Sequence, residues 1–221
     1  MRSNHILEAL SRKDRELLEP DFETVDLPVR TQLAHRQRRV EHVYFIDTGV
    51  GSIVADGGAQ PIEIGIIGRD GMSSIGVLLG KTHSTHDVFM QIAGTGRRIR
   101  TDILCHADEH SLSLHRVLMR YVNTQYEQVG QTAVANGKSK IEERLARWLL
   151  MARDRVESDE VSMTHEFLSL MLATPRPGVT LAVGQLASEG LIETKRGRIT
   201  ILDRAGLEAK CRGIYDSPAQ D

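Results

Sequence analysis

The stretch Thr164–Ile192, THEFLSLMLATPRPGVTLAVGQLASEGLI, constrains this chain more than any other. Phe167, Leu168, Met171 and Leu172 recur as one face of a helix. Val179, Val183 and Leu186, at i, i+4 and i+7, give the next helix a buried stripe. Between them Thr174 suits an N-cap and Pro175 the first helical position, where a missing N–H costs nothing; Pro177 still falls in the first turn. Gly190 is a natural C-terminal stop. Leu191-Ile192, the charged turn Lys195-Arg196-Gly197-Arg198 and the apolar run Ile199–Leu202 then read as a small β-hairpin. Helix, turn, helix and hairpin is the layout of a winged helix-turn-helix, whose second helix enters the DNA major groove. Two helices and a hairpin with an apolar face also occur in small domains of many kinds, so spacing alone leaves DNA binding and plain packing both open.

Upstream of this stretch the period changes. Asn4–Leu18 reads as one or two short helices. Phe22–Leu27, Val43–Ile46, Val50–Ala55, Pro61–Ile67, Val88–Ala93 and Arg97–Ile103 read as short strands, punctuated by Asp47-Thr48-Gly49, Asp56-Gly57-Gly58, Gly68-Arg69-Asp70-Gly71 and Gly94-Thr95-Gly96. Many short strands with closely spaced glycine turns predict a sandwich or jelly roll, and the lack of helix-length crossovers argues against a parallel α/β sheet. Ser111–Ala135 carries no proline and one glycine and predicts a single long helix. Its apolar positions include Leu114, Leu118, Tyr121, Val122 and Val129, diluted by Gln125 and Gln128. Such a thin seam either pairs with a second copy of itself or lies across the β domain as a surface helix. Asn136-Gly137 predicts a break and a hinge. Ile141, Leu145, Trp148, Leu149 and Ala152 make an amphipathic helix ending near Asp154, with Glu143 and Arg147 spaced for an i,i+4 pair. The acidic stretch Glu157–Glu160 reads as a solvated loop, Asp203–Cys211 as a last short helix, and the tail after Gly213 as frayed.

The expected architecture is α+β: residues 1–110 a β-roll or jelly-roll sensor domain, 111–137 a long dimerisation helix and hinge, and 138–221 a winged helix-turn-helix domain. The net charge of −2 over 221 residues does not advertise nucleic acid, although only one face needs to be basic. Cys105 and Cys211 stand far apart, which gives neither a zinc pattern nor a disulfide framework. Neither a signal peptide nor a membrane span is evident, and the expectation is a cytoplasmic protein.

The order of elements, with Thr164, Arg176, Val179, Leu186, Leu191 and Ile192 at family-typical positions, resembles the Crp–Fnr superfamily of bacterial transcription regulators. The resemblance is most specific from about Lys140 to Leu202. It implies a homodimer on a palindromic double-stranded DNA operator, with half-sites about 34 Å apart. It places base readers at Arg176, Pro177, Thr180 and Leu181 and phosphate contacts at Thr164, Thr174, Lys195, Arg196 and Arg198. The dimer helix would use Leu114, Leu118, Tyr121, Val122, Gln125 and Val129, and the hinge Asn136 and Gly137. Arg176 keeps the family arginine, which suits guanine O6 and N7. Pro177 replaces the usual glutamate and Leu181 a frequent arginine, so a different operator is expected. The wing cluster Lys195–Arg198 is equally a solvated hairpin tip when judged by composition.

Cyclic-nucleotide-binding members carry a glycine–glutamate pair for the ribose and an arginine with serine or threonine for the phosphate. Here Val77-Leu78-Leu79 follows Gly76, and no arginine stands between Arg69 and Arg97. Use of the cyclic-AMP pocket is not expected, and the effector, if there is one, is unassigned. With Cys105 as the first cysteine, the N-terminal iron–sulfur cluster of the oxygen-sensing branch is absent. His83, His86, Asp87 and Cys105-His106 leave a metal-responsive regulator as an alternative, while His106 and His110 add no ligand pattern beyond their spacing. A cupin-like β-roll with a role away from DNA is the other alternative, but no H-x-H, G-x-S-x-G, P-loop or HExxH occurs. The expectation is therefore no catalytic residue, no resident metal and no cofactor. The β domain would serve as sensor, dimer scaffold or docking site for RNA polymerase.

Overall fold

A computed structural model describes residues 3–58, 61–211 and 213–215 of the chain. In chain order the elements are α1 (His5–Glu8), α2 (Arg12–Leu18), β1 (Glu23–Leu27), β2 (Gln32–Ala34), β3 (His42–Ile46), β4 (Val50–Ala55), β5 (Ile62–Ile67), β6 (Asp87–Ile92), β7 (Gly94–Arg100), α3 (Thr101–His110), α4 (Leu112–Lys138), α5 (Ile141–Val156), β8 (Glu160–Ser162), α6 (His165–Met171), α7 (Arg176–Ser188), β9 (Ile192–Lys195), β10 (Arg198–Ile201) and α8 (Arg204–Lys210). They form two compact units: residues 1–55 with 65–128, and 56–64 with 129–221. The hairpin predicted at Asp56-Gly57-Gly58 runs into residues 59 and 60, outside the described residues, as does the tail from 216.

In the first unit two sheets, ordered β1-β7-β3 and β2-β6-β4-β5, enclose the core. β1 and β3 pair antiparallel to β7, and β2 and β4 pair antiparallel to β6. Val43, Phe45, Ile46, Ile67, Met72, Met90 and Ile99 meet Leu104 of α3 and Leu114 and Leu118 of α4 in one apolar cluster. Burial of this kind is the main driving force for the fold. The helix N-cap Asn4 pins the chain start to this core. Its Nδ2 donates to the carbonyls of Ile46 (2.8 Å) and Gly71 (2.7 Å), and its Oδ1 accepts from Ile6 N (3.0 Å).

Several expectations are corrected here. Gly94-Thr95-Gly96 is not a turn but the start of β7. After Ala93 the chain leaves one sheet for the other, and a Cβ on Gly94 would lie 1.8 Å from the Thr48 carbonyl oxygen. The strand predicted to reach Ile103 ends at Arg100, and Thr101 opens α3. The predicted helix break at Asn136-Gly137 does not occur: α4 runs on to Lys138 and the break follows at Ser139-Lys140. One glycine costs a helix only about 1 kcal/mol, too little to end one of this length.

The faces of α4 also differ from expectation. Leu114, Leu118, Tyr121 and Gln125 are buried within their own chain. Tyr121 donates to the Met72 carbonyl (3.1 Å) and to Gln125 Oε1 (3.1 Å). The Gln128 amide accepts from Ile66 N (2.6 Å) and donates to Ile66 O (3.1 Å). Gly65 permits this approach, since a Cβ there would sit 2.7 Å from the Gln125 amide nitrogen. Val122 and Val129 are only half-buried.

In the second unit α5 supplies the centre, with Leu145, Leu149, Leu150 and Ala152 fully buried. Glu143 accepts from the Lys140 N–H (3.0 Å) and closes the start of the helix, while Arg147 donates to the Ile214 carbonyl (2.8 Å). Trp148 donates to Glu63 (2.9 Å), a buried hydrogen bond inside this unit. The acidic stretch read as a loop contributes β8, which pairs with β10 and extends the hairpin to a three-stranded sheet, β8-β10-β9. Val161 is its one buried residue, a single apolar position among exposed ones.

Candidate nucleic-acid interface

The interface grows from the turn between α6 and α7. Thr164 caps α6, its hydroxyl accepting from Phe167 N (3.3 Å). Leu168, Met171, Val179, Ala182, Val183 and Leu186 bury the facing sides of the two helices. The cap of α7 falls one residue later than expected. Pro175, not Thr174, is its N-cap, Arg176 is the first helical residue and Pro177 the second. Pro175 is extended (φ −57°, ψ 150°), and Thr174 instead donates its N–H to the Ser169 carbonyl (3.1 Å). Leu191 N closes the far end on the Leu186 carbonyl (3.0 Å).

Ala173 turns the chain with φ +44°. A left-handed conformation costs a residue with a Cβ about 1–2 kcal/mol, partly offset by the extra unfolded-state freedom of glycine. Ala173→Gly is therefore expected to stabilise the second unit by roughly 0.5–1 kcal/mol. The check is the denaturant midpoint followed by the fluorescence of Trp148, the only tryptophan. An unchanged or lower midpoint contradicts the strain argument.

What α7 leaves exposed is Arg176, Pro177, Thr180 and Leu181, followed by Gly184, Gln185 and Ser188. The four expected base-reading positions thus share one face, and Leu181 stands 76% exposed. The helix contains no acidic residue. Glu189 at its C-cap is neutralised by Lys210 (2.6 Å), a contact that lowers the Glu189 pKa. Thr180 Oγ1 donates to the Arg176 carbonyl (3.0 Å) and lies 3.4 Å from His165 Nδ1. Gly184 and Gln185 complete the i, i+4, i+8 repeats from Arg176 and Pro177, while His165, on α6, carries no such signal in the sequence.

Beside this face a groove of about 670 Å³ runs between the start of α6 and the hairpin, lined by Thr164, His165, Lys195, Arg196 and Arg198 among others. The wing cations are not equivalent. Lys195 pairs with Glu193 (3.1 Å) and Arg198 with Glu160 (3.2 Å). Arg176 and Arg196 are exposed with no ion pair among the described residues, so both charges are available to an anionic ligand. Of the expected phosphate contacts, Thr164, Lys195, Arg196 and Arg198 surround the groove, while Thr174 is half-buried in the turn.

Residues 143–210 match the family model of the Crp-like helix-turn-helix domain. This segment is a Crp-like helix-turn-helix domain. The fold of the chain is shared with solved structures over nearly its full length. A transcriptional regulator of the crp/fnr family from Eubacterium rectale superposes with a TM-score of 0.73 at 17% identity, covering 94% of this chain and 98% of its own. FixK2 from Bradyrhizobium japonicum gives 0.72 at 14% identity, covering 90% and 99%. The c-di-GMP-responsive regulator CLP from Xanthomonas campestris gives 0.70 at 13%, covering 87% and 100%. No curated protein sequence matches the chain.

Around Val40, Val77 and Lys81 the first unit has a cavity of about 510 Å³, lined by Arg39 and Arg100 among others. A cavity of about 70 Å³ lies beneath the short 3-10 turn Ile75–Leu79, lined by Ser74, Lys81, His83, Ser84 and His86 among others and by no arginine. Burial depresses the His86 pKa, against the opposing pull of Asp87. Among the described residues His83, His86 and Asp87 do not converge as metal ligands. No helix among the described residues is long and apolar enough to cross a membrane.

Proposed function

We propose that this regulator acts as a homodimer on a two-fold-symmetric operator, with the exposed face of α7 in the major groove and the wing on the flanking backbone. The acid-free face that begins at unpaired Arg176 carries this reading: a guanidinium at a helix N-terminus suits guanine, while Pro177 offers no acceptor to cytosine and Leu181 offers apolar contact. These two residues favour an operator unlike that of the cyclic-AMP receptor protein. Enrichment from random duplex DNA by the purified chain, without added ligand, tests the reading. A palindrome with half-sites about 34 Å apart is the expected result, and a pool without enrichment and without salt-sensitive binding overturns it.

The dimer surface is a second stripe of α4. Leu112, His115, Met119, Val122, Tyr126 and Val129 recur at 3,4,3,4,3 spacing, the pattern of a coiled-coil seam. Leu112 is 64% and Tyr126 76% exposed in the single chain, which supports a partner there. Of the residues expected at this surface, Val122 and Val129 stay in the proposal; Leu114, Leu118, Tyr121 and Gln125 leave it because their own chain buries them. Replacing Val122 and Tyr126 by glutamate should halve the mass in sedimentation equilibrium and abolish palindrome binding; an unaltered dimer would place the interface elsewhere.

The 70 Å³ cavity without arginine supports regulation that does not use the cyclic-AMP pocket. It has room for about two waters, against roughly 300 Å³ or more for a drug-sized ligand. Any effector acts through its differential affinity for two arrangements of the recognition helices. Ser139-Lys140, with the neighbouring Asn136 and Gly137, is the segment proposed to accommodate that change.

A further inference from the structure

We propose that the last turn of α3 is a binding site for a divalent transition metal, held by His106, Glu109 and His110. The three side chains follow each other as His-Ala-Asp-Glu-His on one face of the helix, and their ligand atoms lie within 4.8 Å of one another. The imidazole rings are 4.2 Å apart. His110 Nδ1 is 2.8 Å from the His106 carbonyl, which can only accept, so Nδ1 carries the proton and Nε2 keeps its lone pair outward. A backbone carbonyl accepting from the other ring nitrogen is what fixes the tautomer of metal-binding histidines.

The surroundings agree with a cationic guest. The C-terminal end of a helix favours positive charge. The neighbouring carboxylate Asp108 is engaged by His115 Nδ1 (3.1 Å), which leaves Glu109 as the anionic ligand. Two imidazoles and one carboxylate suit Zn²⁺, Ni²⁺, Co²⁺ or Cu²⁺ rather than Mg²⁺ or Ca²⁺, which require oxygen sets. Three exposed ligands leave the remaining coordination positions to water. Only Ser111 separates this turn from α4, so a bound ion would lie next to the junction of α3 with the long helix.

The test is titration of the tag-free chain with Co²⁺, followed by visible absorption, then displacement by Zn²⁺. One equivalent of Co²⁺ should bind. His106→Ala with His110→Ala should weaken binding at least 100-fold, since losing only a hydrogen-bonding partner of a ligand already costs about 10- to 100-fold, and Glu109→Gln should weaken it about 10-fold. His83→Ala with His86→Ala should leave it unchanged. Far-UV circular dichroism confirms folding of each variant; the His106, Glu109 and His110 side chains are exposed. Absence of a Co²⁺ spectrum, or its persistence in the His106/His110 double variant, overturns the proposal.

Discussion

Arg176→Ala is expected to cost about 1–3 kcal/mol of discrimination at one base pair per half-site, roughly 5- to 150-fold, while affinity for arbitrary duplex falls little. Arg176 is the first residue of α7, exposed and without an ion pair, and the flanking Pro175 and Pro177 restrict the backbone that launches it. Its guanidinium has no intramolecular partner to give up, and its planar fork is pre-organised for bidentate pairing. Arg196→Ala should behave in the opposite way. It sits at the hairpin tip beside the groove, where the proposed docking sets it against the DNA backbone rather than the base edges. All duplexes should weaken alike, and the slope of log K against log salt should flatten by about 0.9. Arg198, already paired with Glu160, should show a smaller effect than Arg196. Competition binding of the wild-type and variant chains on single-base operator variants separates these outcomes. An unchanged base preference in Arg176→Ala means that α7 is not the reading helix.

Asn4→Ala is expected to destabilise the first unit by about 3 kcal/mol, the largest effect anticipated for a single polar residue here. The side chain is fully buried and joins three segments: it caps α1 and donates to carbonyls 42 and 67 residues away. Removing it leaves the Ile46 and Gly71 carbonyls without those donors and the Ile6 amide without its cap, and each buried polar group left unmade costs about 1–3 kcal/mol. Asn4→Asp keeps the cap but turns a carboxylate oxygen toward two carbonyls, so it should not rescue. A thermal or denaturant midpoint of the first unit reads both variants. A loss below about 1 kcal/mol in Asn4→Ala would mean that water replaces the amide without penalty.

The helix-turn-helix was legible because its periodicity, prolines and terminal glycine agree at every level. Only the cap moved, by one residue, since a proline in extended conformation can itself precede a helix. α3 was not legible: it follows β7 without a breaker residue, and only Leu104 and Ala107 are buried, too few to show a helical period. The orientation of α4 was undecidable from sequence for a definite reason. Leu114, Leu118, Tyr121 and Gln125 repeat at 4,3,4, and Leu112, His115, Met119, Val122 and Tyr126 at 3,4,3,4, one residue out of phase. Both satisfy a heptad, and only the β-roll chooses between them. Asn4 gave no signal at all, because its role depends on partners brought together by the fold. The glutamines of α4 misled for the same reason: they looked like dilution of an apolar seam, whereas Gln128 is engaged with β5.

That engagement has a consequence for how the molecule behaves in a crowded solution. β5 ends the order β2-β6-β4-β5, and the outer edge of such a strand is a template on which another chain can add itself. The Ile66 N–H and carbonyl, the pair an incoming strand would seize, are occupied by one side-chain amide from a helix. The helix proposed to pair with a copy of the chain thus also denies the sheet edge to an incoming strand. If the proposed pairing holds, association is steered toward a closed pair and away from open-ended stacking of sheets.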